Sequence, residues 1–412
     1  MDIPGLPARK AALRLLDAVL RRGETLEAAG PSALQGIRSD ADRALARALA
    51  GEALRWLIDL DGLIDSATRM ALPEDAKARG ALRLMLAGWL RLETPPHAVI
   101  ATGLPLLAGG PRRLAHGVFS TLVKQGATLP AAPTLPVGVA ERWGPRAEGI
   151  AAALAQPPPL DLVLRDAGET ALWAERLGGI SLIPGHLRLP RGQAVERLEG
   201  FKDGAWWVQD FAASLPARLL GAGTGRTVLD LCAAPGGKTM QLAAAGWKVT
   251  ALDASPKRLD RMRENLTRTG LTAELVQADV LTWEPPHRFD AVLLDAPCTA
   301  TGTCRRHPDV LHRIGARHIA EMAELQAKLL ERAAGWVAPG GRLVYAVCSM
   351  ESAEGEAAAA SVMLPVDPIM ADELPAGLLP TPEGWLRTDP AMLAEAGGLD
   401  GFFIARWRAP AA

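Results

Sequence analysis

Cysteine is scarce in this 412-residue chain: the four present are Cys232, Cys298, Cys304 and Cys348, and no two of them form a CxxC pair. That spacing argues against a zinc knuckle, a disulfide framework and any other metal centre, and it fits a chain kept reduced in the cytoplasm. No apolar stretch of transmembrane length is free of charge, so no membrane association is expected. The opening Met1-Asp2-Ile3-Pro4-Gly5 lacks the basic-then-apolar pattern that secretion needs. An excess of either charge is missing too. The formal net charge of −1 neither demands nor excludes nucleic acid, because a local basic face can coexist with a neutral total. What is present is an ordinary globular composition, 49% hydrophobic and 22% charged, over a length sufficient for two or three domains.

Three regions follow from the patterning. Residues 1–128 read as all helix. Leu13, Leu16 and Leu20 make one stripe; Leu45, Ala48, Leu49, Glu52, Ala53 and Trp56 make a second, with Ser39 and Asp42 placed to cap it; Leu82, Leu86, Trp89 and Leu90 make a third. Pro95-Pro96 and Gly109-Gly110-Pro111 separate these units. Residues 129–216 read as a linker followed by a small α+β unit: Pro130 to Pro136 is too proline-rich for a helix, and Leu160 to Leu164 alternates like a strand. Residues 217–412 alternate between strands and helices. The strands are expected at Val228–Leu231, Lys248–Asp253, Ala273–Asp279, Asp290–Asp295 and Arg342–Val347, with Ser255 capping a helix through Arg268 and a long helix over about 313–336. Such alternation implies an α/β fold with a parallel, doubly wound, Rossmann-like sheet, to which Gly401–Trp407 would add an antiparallel edge strand.

Two of these apolar strands run into cysteine: Leu293-Leu294-Asp295-Ala296-Pro297-Cys298 and Val344-Tyr345-Ala346-Val347-Cys348-Ser349. A residue just past a parallel strand lies at the carboxyl edge of the sheet, where open α/β sheets bind ligands. A cysteine there is commonly just a small buried hydrophobe. Two of them, with an aspartate beside the first, point instead to thiol chemistry on a bound substrate.

The first strand of this region enters Cys232-Ala233-Ala234-Pro235-Gly236-Gly237-Lys238-Thr239 and then a helix. Glycines let a backbone approach a ligand closely, and a helix amino terminus favours negative charge. The Gly-Lys-Thr ending imitates a phosphate-binding loop, but the glycine that motif requires five positions before Gly237 is Cys232, and GxGxxG is absent. What remains is a glycine-rich turn with Asp253, Asp279 and Asp295 at successive strand ends. Asp253 is placed for ribose hydroxyls and Asp279 for an adenine amino group, the layout of an S-adenosylmethionine site. The cofactor-binding set is therefore Cys232, Ala233, Ala234, Pro235, Gly236, Gly237, Lys238, Asp253, Asp279 and Asp295.

The segments Asp230–Thr239, Asp295-Ala296-Pro297-Cys298, Arg305-Arg306-His307-Pro308-Asp309 and Cys348-Ser349 resemble the RNA (cytosine-5) methyltransferases of the Sun family. Val208-Gln209-Asp210 and Asp400-Gly401-Phe402-Phe403 also look like signatures of that family. Arg43-Ala44-Leu45-Ala46 and Gly51-Glu52-Ala53-Leu54-Arg55 are similar to the NusB-like RNA-binding domain fused to its bacterial 16S ribosomal RNA members. There are departures: Thr299 and Ala300 stand where the family has serine and glycine, Cys304 replaces an aliphatic residue, and Val347 replaces the threonine before Cys348.

The resemblance implies a methyltransferase that forms 5-methylcytidine in RNA, most simply 16S ribosomal RNA, through a covalent cysteine–cytosine adduct. It assigns Cys348 as nucleophile and Cys298 to release, a division that the residues alone leave open. Asp295, if protonated, would hold nitrogen 3 and the exocyclic amine of the base. Arg305, Arg306 and His307 are expected to contact phosphate, and Cys232 and Cys304 to take no part in the thiol chemistry. The target base must leave its stack, so single-stranded or loop RNA is the expected substrate. The chain is expected to be a monomer. Two alternatives are transfer RNA as substrate, and a non-catalytic RNA-binding ribosome assembly factor that keeps only the fold.

Overall fold

In the amino-terminal region apolar residues recur every three or four positions, and Pro and Gly punctuate the runs. A computed structural model, describing residues 3–411, realises this pattern as nine helices before Pro157. They are α1 (Leu6–Arg22), α2 (Leu26–Ala33), α3 (Asp40–Arg55), α4 (Leu57–Ser66), α5 (Lys77–Leu90), α6 (Pro96–Gly103), α7 (Gly109–Lys124), α8 (Val137–Trp143) and α9 (Ala147–Leu154). The alanine-rich stripe Ala8, Ala11, Ala12, Leu15, Leu16 and Val19 of α1 is fully buried, and its small side chains let neighbouring helices approach closely. Ser39 caps α3 by accepting from the Asp42 amide at 3.2 Å. Arg83 grips Asp61 through two bonds of 2.8 and 2.6 Å.

The chain divides into two units, one comprising the sequence to Gln156 together with Cys304–Ile314, the other Pro157–Thr303 together with Gly315 onward. The proline-rich stretch before Pro136 is extended, as its composition predicts, but it lies within the helical unit. The Thr134 amide and hydroxyl both donate to the Asp59 carboxylate, at 2.9 and 2.6 Å. Val139, Trp143, Ile150 and Leu154 of the two following helices are buried. The transition therefore falls at Pro157-Pro158-Pro159 instead of near residue 128, because prolines there leave no amide to continue α9.

In the second unit β1 (Leu160–Leu164), β2 (His186–Leu189) and β3 (Trp206–Val208) form an antiparallel sheet of order β2-β1-β3, accompanied by α10 (Thr170–Leu177). This small sheet shares its unit with the larger one, and Asp161 shows how it is tied in. Its buried carboxylate accepts from Arg188 at 2.7 and 2.8 Å and from the Phe211 amide at 3.0 Å. That amide opens α11 (Phe211–Arg218). The Val208-Gln209-Asp210 signature sits at this junction. Gln209 accepts from Trp207 Nε1 at 2.8 Å and donates to Gln241 at 2.8 Å, while Asp210 caps α11 and accepts from the Asp400 amide at 3.2 Å.

The larger sheet contains β4 (Thr227–Leu231), β5 (Lys248–Asp253), β6 (Glu274–Gln277), β7 (Phe289–Asp295), β8 (Val337–Val347), β9 (Leu386–Arg387) and β10 (Phe403–Arg408), in the order β6-β5-β4-β7-β8-β10-β9. Strands β4 to β8 are parallel; β10 runs antiparallel to β8 and to β9. The predicted carboxyl-terminal edge strand is thus β10, but β9 covers it and takes the edge. The connecting helices are α12 (Gly237–Ala244), α13 (Pro256–Thr269), α15 (Ala316–Gly335) and α16 (Glu356–Ala360); α14 (Val310–Arg313) belongs to the helical unit. Both faces of the sheet are buried. Leu229, Leu231, Val292, Leu294, Leu343 and Tyr345 pack on one side with Leu329 and Leu330 of α15. Val228, Ala291, Leu293, Val344 and Ala346 pack on the other with α11, α12 and α13. Burial on two faces is why these strands read as continuous apolar runs without polar alternation.

Candidate active site

Strands β7 and β8 are parallel neighbours, with Leu294 opposite Tyr345 and Asp295 opposite Ala346. The pairing continues beyond the strands: the Ala296 amide donates to Ala346 at 3.0 Å, and the Gly302 amide donates to Cys348 at 3.0 Å. The two loops therefore emerge side by side at the carboxyl edge, and Cys298 Sγ stands 3.4 Å from Cys348 Sγ. Gly302 is required here, since a Cβ on it would lie 1.9 Å from the carbonyl oxygen of Gly401. Gly401 is needed in turn, because a Cβ on it would collide with Met350 Sδ and lie 3.0 Å from the Gly302 Cα.

Lys238, in the first turn of α12, reaches across to this pair. Its Nζ is 2.8 Å from Asp295 Oδ2 and 5.5 Å from the centre of the Phe402 ring. Burial pulls the lysine towards neutrality, but the Asp295 carboxylate and the nearby Cys348 sulfur outweigh it, and the net shift is upward. Lys238 therefore stands as a cation 2.8 Å from Asp295 at this site. Cys298 behaves differently. Its contact with the Cys348 sulfur, followed by burial, pushes its thiol well above the ordinary range. The Cys298 thiol is thereby held protonated.

The loop from Cys232 to Gly237 turns through left-handed backbone at Cys232 (φ 58°) and Gly236 (φ 105°). Gly236 is needed twice over, because a Cβ there would also press on Met262 at 2.9 Å. The loop is clamped to β5 and α13. The Ala234 amide donates to Asp253 at 3.2 Å, Arg258 bonds both Asp253 and the Ala234 carbonyl, and Asn265 donates to the Pro235 carbonyl at 3.1 Å. No side chain caps the amino terminus of α12, so its first amides face the strand ends without a side-chain acceptor. Burial, then the Asp295 and Asp253 charges, push the Cys232 thiol up to about 12, which keeps it protonated and unreactive.

Asp253 ends β5 and Asp295 ends β7, as predicted. Asp279 lies two residues beyond β6, exposed, with its carboxylate accepting from the Leu281 amide at 2.9 Å. Sequence reasoning overlooked Asp230, which is fully buried in β4. Its Oδ2 accepts from the Thr239 hydroxyl, and its Oδ1 makes no hydrogen bond. Burial, reinforced by the Asp295 and Asp253 charges, pushes this carboxyl up to about 7 from an ordinary 3.8. Between those values the folded protein holds a proton that the unfolded chain has released, so stability falls as pH rises through that window and levels off above it. The effect amounts to a few kcal/mol at most, at about 1.4 kcal/mol per unit. Asp230→Asn is expected to flatten the decline in urea midpoint between pH 5 and pH 8; an unchanged slope would remove Asp230 as its source.

The phosphate-contact reading of Arg305 fails. Arg305 is 2% exposed within the helical unit, where its carbonyl accepts from Arg55 at 2.9 Å. His307 remains exposed, and Cys304 is fully buried. Among the described residues no three His, Cys, Asp or Glu side chains cluster as a metal site, and no helix is long and apolar enough to cross a membrane.

A mostly parallel sheet with a glycine-rich loop, strand-end aspartates and paired thiols at one edge defines a Rossmann-like methyltransferase. Residues 217–408 match the model of the 16S rRNA methyltransferase RsmB/F family, and residues 6–106 match the NusB family. Ribosomal RNA small subunit methyltransferase B of Klebsiella pneumoniae is 35% identical over 83% of this chain and 86% of its own length. The Xylella fastidiosa protein of the same name is 33% identical over 98% of both. The crystal structure of PH0851 superposes with a TM-score of 0.73 at 22% identity, covering 98% of this chain and 99% of that one, which establishes the shared fold. The chain belongs to the RsmB/F family: it is an S-adenosylmethionine-dependent RNA (cytosine-5) methyltransferase with an amino-terminal NusB domain.

Proposed function

We propose that the chain forms 5-methylcytidine in 16S ribosomal RNA, as a cytoplasmic monomer, with Cys348 as nucleophile and Cys298 assisting release. The observation that carries this reading is the pair of sulfurs 3.4 Å apart beside the Lys238–Asp295 ion pair. The cofactor would lie along Cys232–Gly237, with Asp253 at its ribose and Asp279 at its adenine, and it supplies an electrophilic methyl group. The uncapped α12 terminus and the left-handed turns at Cys232 and Gly236 fit a ligand carrying a carboxylate.

Carbon 5 of cytosine is a poor nucleophile. Addition of the Cys348 sulfur to carbon 6 pushes electron density onto carbon 5, and the difficult step is divided into two easier ones. Asp295 accepts from the exocyclic amine, and the Lys238 ammonium faces the negative charge that develops on the ring. Cys298 holds its proton chiefly because Cys348 lies beside it. Once Cys348 is bonded to carbon, that influence ends: Cys298 releases its proton to solvent, the resulting thiolate takes the carbon 5 proton, and Cys348 departs as a thiolate. One chain carries every group required, so the site needs no second copy.

The test is incubation with radiolabelled cofactor and either unmodified 16S RNA or transfer RNA, followed by detection of 5-methylcytidine. Product on 16S RNA is expected. Product on transfer RNA alone would reassign the substrate, and product on neither would leave the chain as an assembly factor.

A further inference from the structure

Glu354 plays no part in the chemistry described so far, yet it bonds the residues that follow both thiols. Its side chain is fully buried, with 0% exposure. A carboxylate in such a place is costly unless hydrogen bonds surround it. Here they do: Oε2 accepts from the Thr299 amide at 2.9 Å and from Gln326 Nε2 at 2.9 Å. Oε1 accepts from the Ser349 hydroxyl at 2.7 Å and from the Thr299 hydroxyl. Thr299 is the residue after Cys298, and Ser349 is the residue after Cys348. One carboxylate thus binds the chain immediately beyond each sulfur.

Its own position is fixed from outside. Tyr345 donates to the Glu354 carbonyl at 2.6 Å. Gln326 of α15 also donates to the Pro297 carbonyl at 2.8 Å, one residue before Cys298. A second layer closes the network: the Thr301 hydroxyl lies 3.3 Å from Ser349 Oγ and accepts from the Met350 amide at 3.0 Å. The β7–β8 ladder ends at Asp295 opposite Ala346, and beyond it the loops are joined by the Ala296–Ala346 and Gly302–Cys348 backbone bonds and by Glu354. Of these, Glu354 alone binds the residue that follows each thiol.

We propose that Glu354 is a positioning residue that sets the distance between Cys298 and Cys348, and so the hand-over from adduct formation to release. The proposal rests on the reading that both thiols act in the reaction. Its acceptors are all engaged by donors, so replacement by alanine strands the Thr299 amide and Gln326 while freeing both loops. Glutamine keeps the network, because its oxygen can face Thr299 N and Gln326 while its amide donates to the two hydroxyls, which accept as readily as they donate.

Dibromobimane, which bridges neighbouring thiols and becomes fluorescent only when both ends have reacted, reads the sulfur separation without any catalysis. In the full-length protein, with Cys298→Ser as the blank, Glu354→Ala is expected to slow bridging about tenfold or more. It should also lower kcat at least tenfold, with the KM for S-adenosylmethionine within about threefold, and leave a larger fraction of protein covalently held by RNA. Glu354→Gln should recover most of the bridging rate and turnover. Unchanged bridging in folded Glu354→Ala, or a Glu354→Gln variant as impaired as the alanine one, would overturn the proposal. If Glu354→Ala does not fold, Thr299→Val and Glu354→Gln carry the test, the former slowing bridging severalfold and the latter not. Slowed bridging in a protein that makes no 5-methylcytidine would refute the functional reading and leave the positioning role standing.

Discussion

Cys298→Ala is expected to leave the protein covalently attached to its RNA, whereas Cys348→Ala is expected to form no attachment at all. Both should lose turnover by a factor on the order of 10³ or more, since each removes one half of a two-step covalent sequence. The difference lies in where the reaction stops. Without Cys348 no sulfur adds to carbon 6. Without Cys298 the addition and methyl transfer proceed, but the carbon 5 proton stays and Cys348 cannot leave. A denaturing gel of protein incubated with cofactor and labelled RNA separates the two, as a slow-migrating labelled band present only for Cys298→Ala. The two sulfurs stand 3.4 Å apart beside the Lys238–Asp295 pair, so both are within reach of one base. A band with Cys348→Ala and none with Cys298→Ala would reverse the roles.

Lys238→Met is expected to lower kcat by about 10² to 10³, the usual loss when one preorganised partner of a developing charge is removed. Methionine preserves most of the buried stem and removes the ammonium that is 2.8 Å from Asp295. The kinetic pattern separates two roles for this lysine. As a cofactor contact alone, its loss would raise the KM for S-adenosylmethionine and leave kcat intact. As the cation facing the base, its loss lowers kcat with that KM little changed. Steady-state measurements with each substrate varied in turn make the distinction, and a pure KM effect would return Lys238 to the cofactor.

Much of this was legible in the sequence because its signals are local. Helical stripes, Ser39 and Ser255 caps, and apolar strand runs are set by neighbours a few positions apart, and the predicted strands Lys248–Asp253 and Asp290–Asp295 fall on β5 and β7. Proline was less informative. A run such as Pro130 to Pro136 marks where a helix stops, but a domain boundary depends on where side chains are buried, and Trp143 and Ile150 are buried before Pro157. Arg305 misled for the same reason: a basic residue after a strand suggests phosphate, while tertiary packing buries it against Arg55.

Glu354 and Asp230 carried no usable local signal. A carboxylate is ordinarily a surface group, and nothing in Glu351-Ser352-Ala353-Glu354 announces full burial. The only hint was the spacing of Glu354 five residues after Ser349.

By itself, the sequence determined the α/β framework and which cysteines and aspartates stand at the ends of its strands. It could not determine their mutual geometry. Cys298 and Cys348 are fifty residues apart, and their 3.4 Å separation follows from the register of β7 against β8, the Glu354 tie and the Gly302–Gly401 approach. Register is fixed by which long-range pairings bury both faces of the sheet together, and that is a property of the whole folded unit.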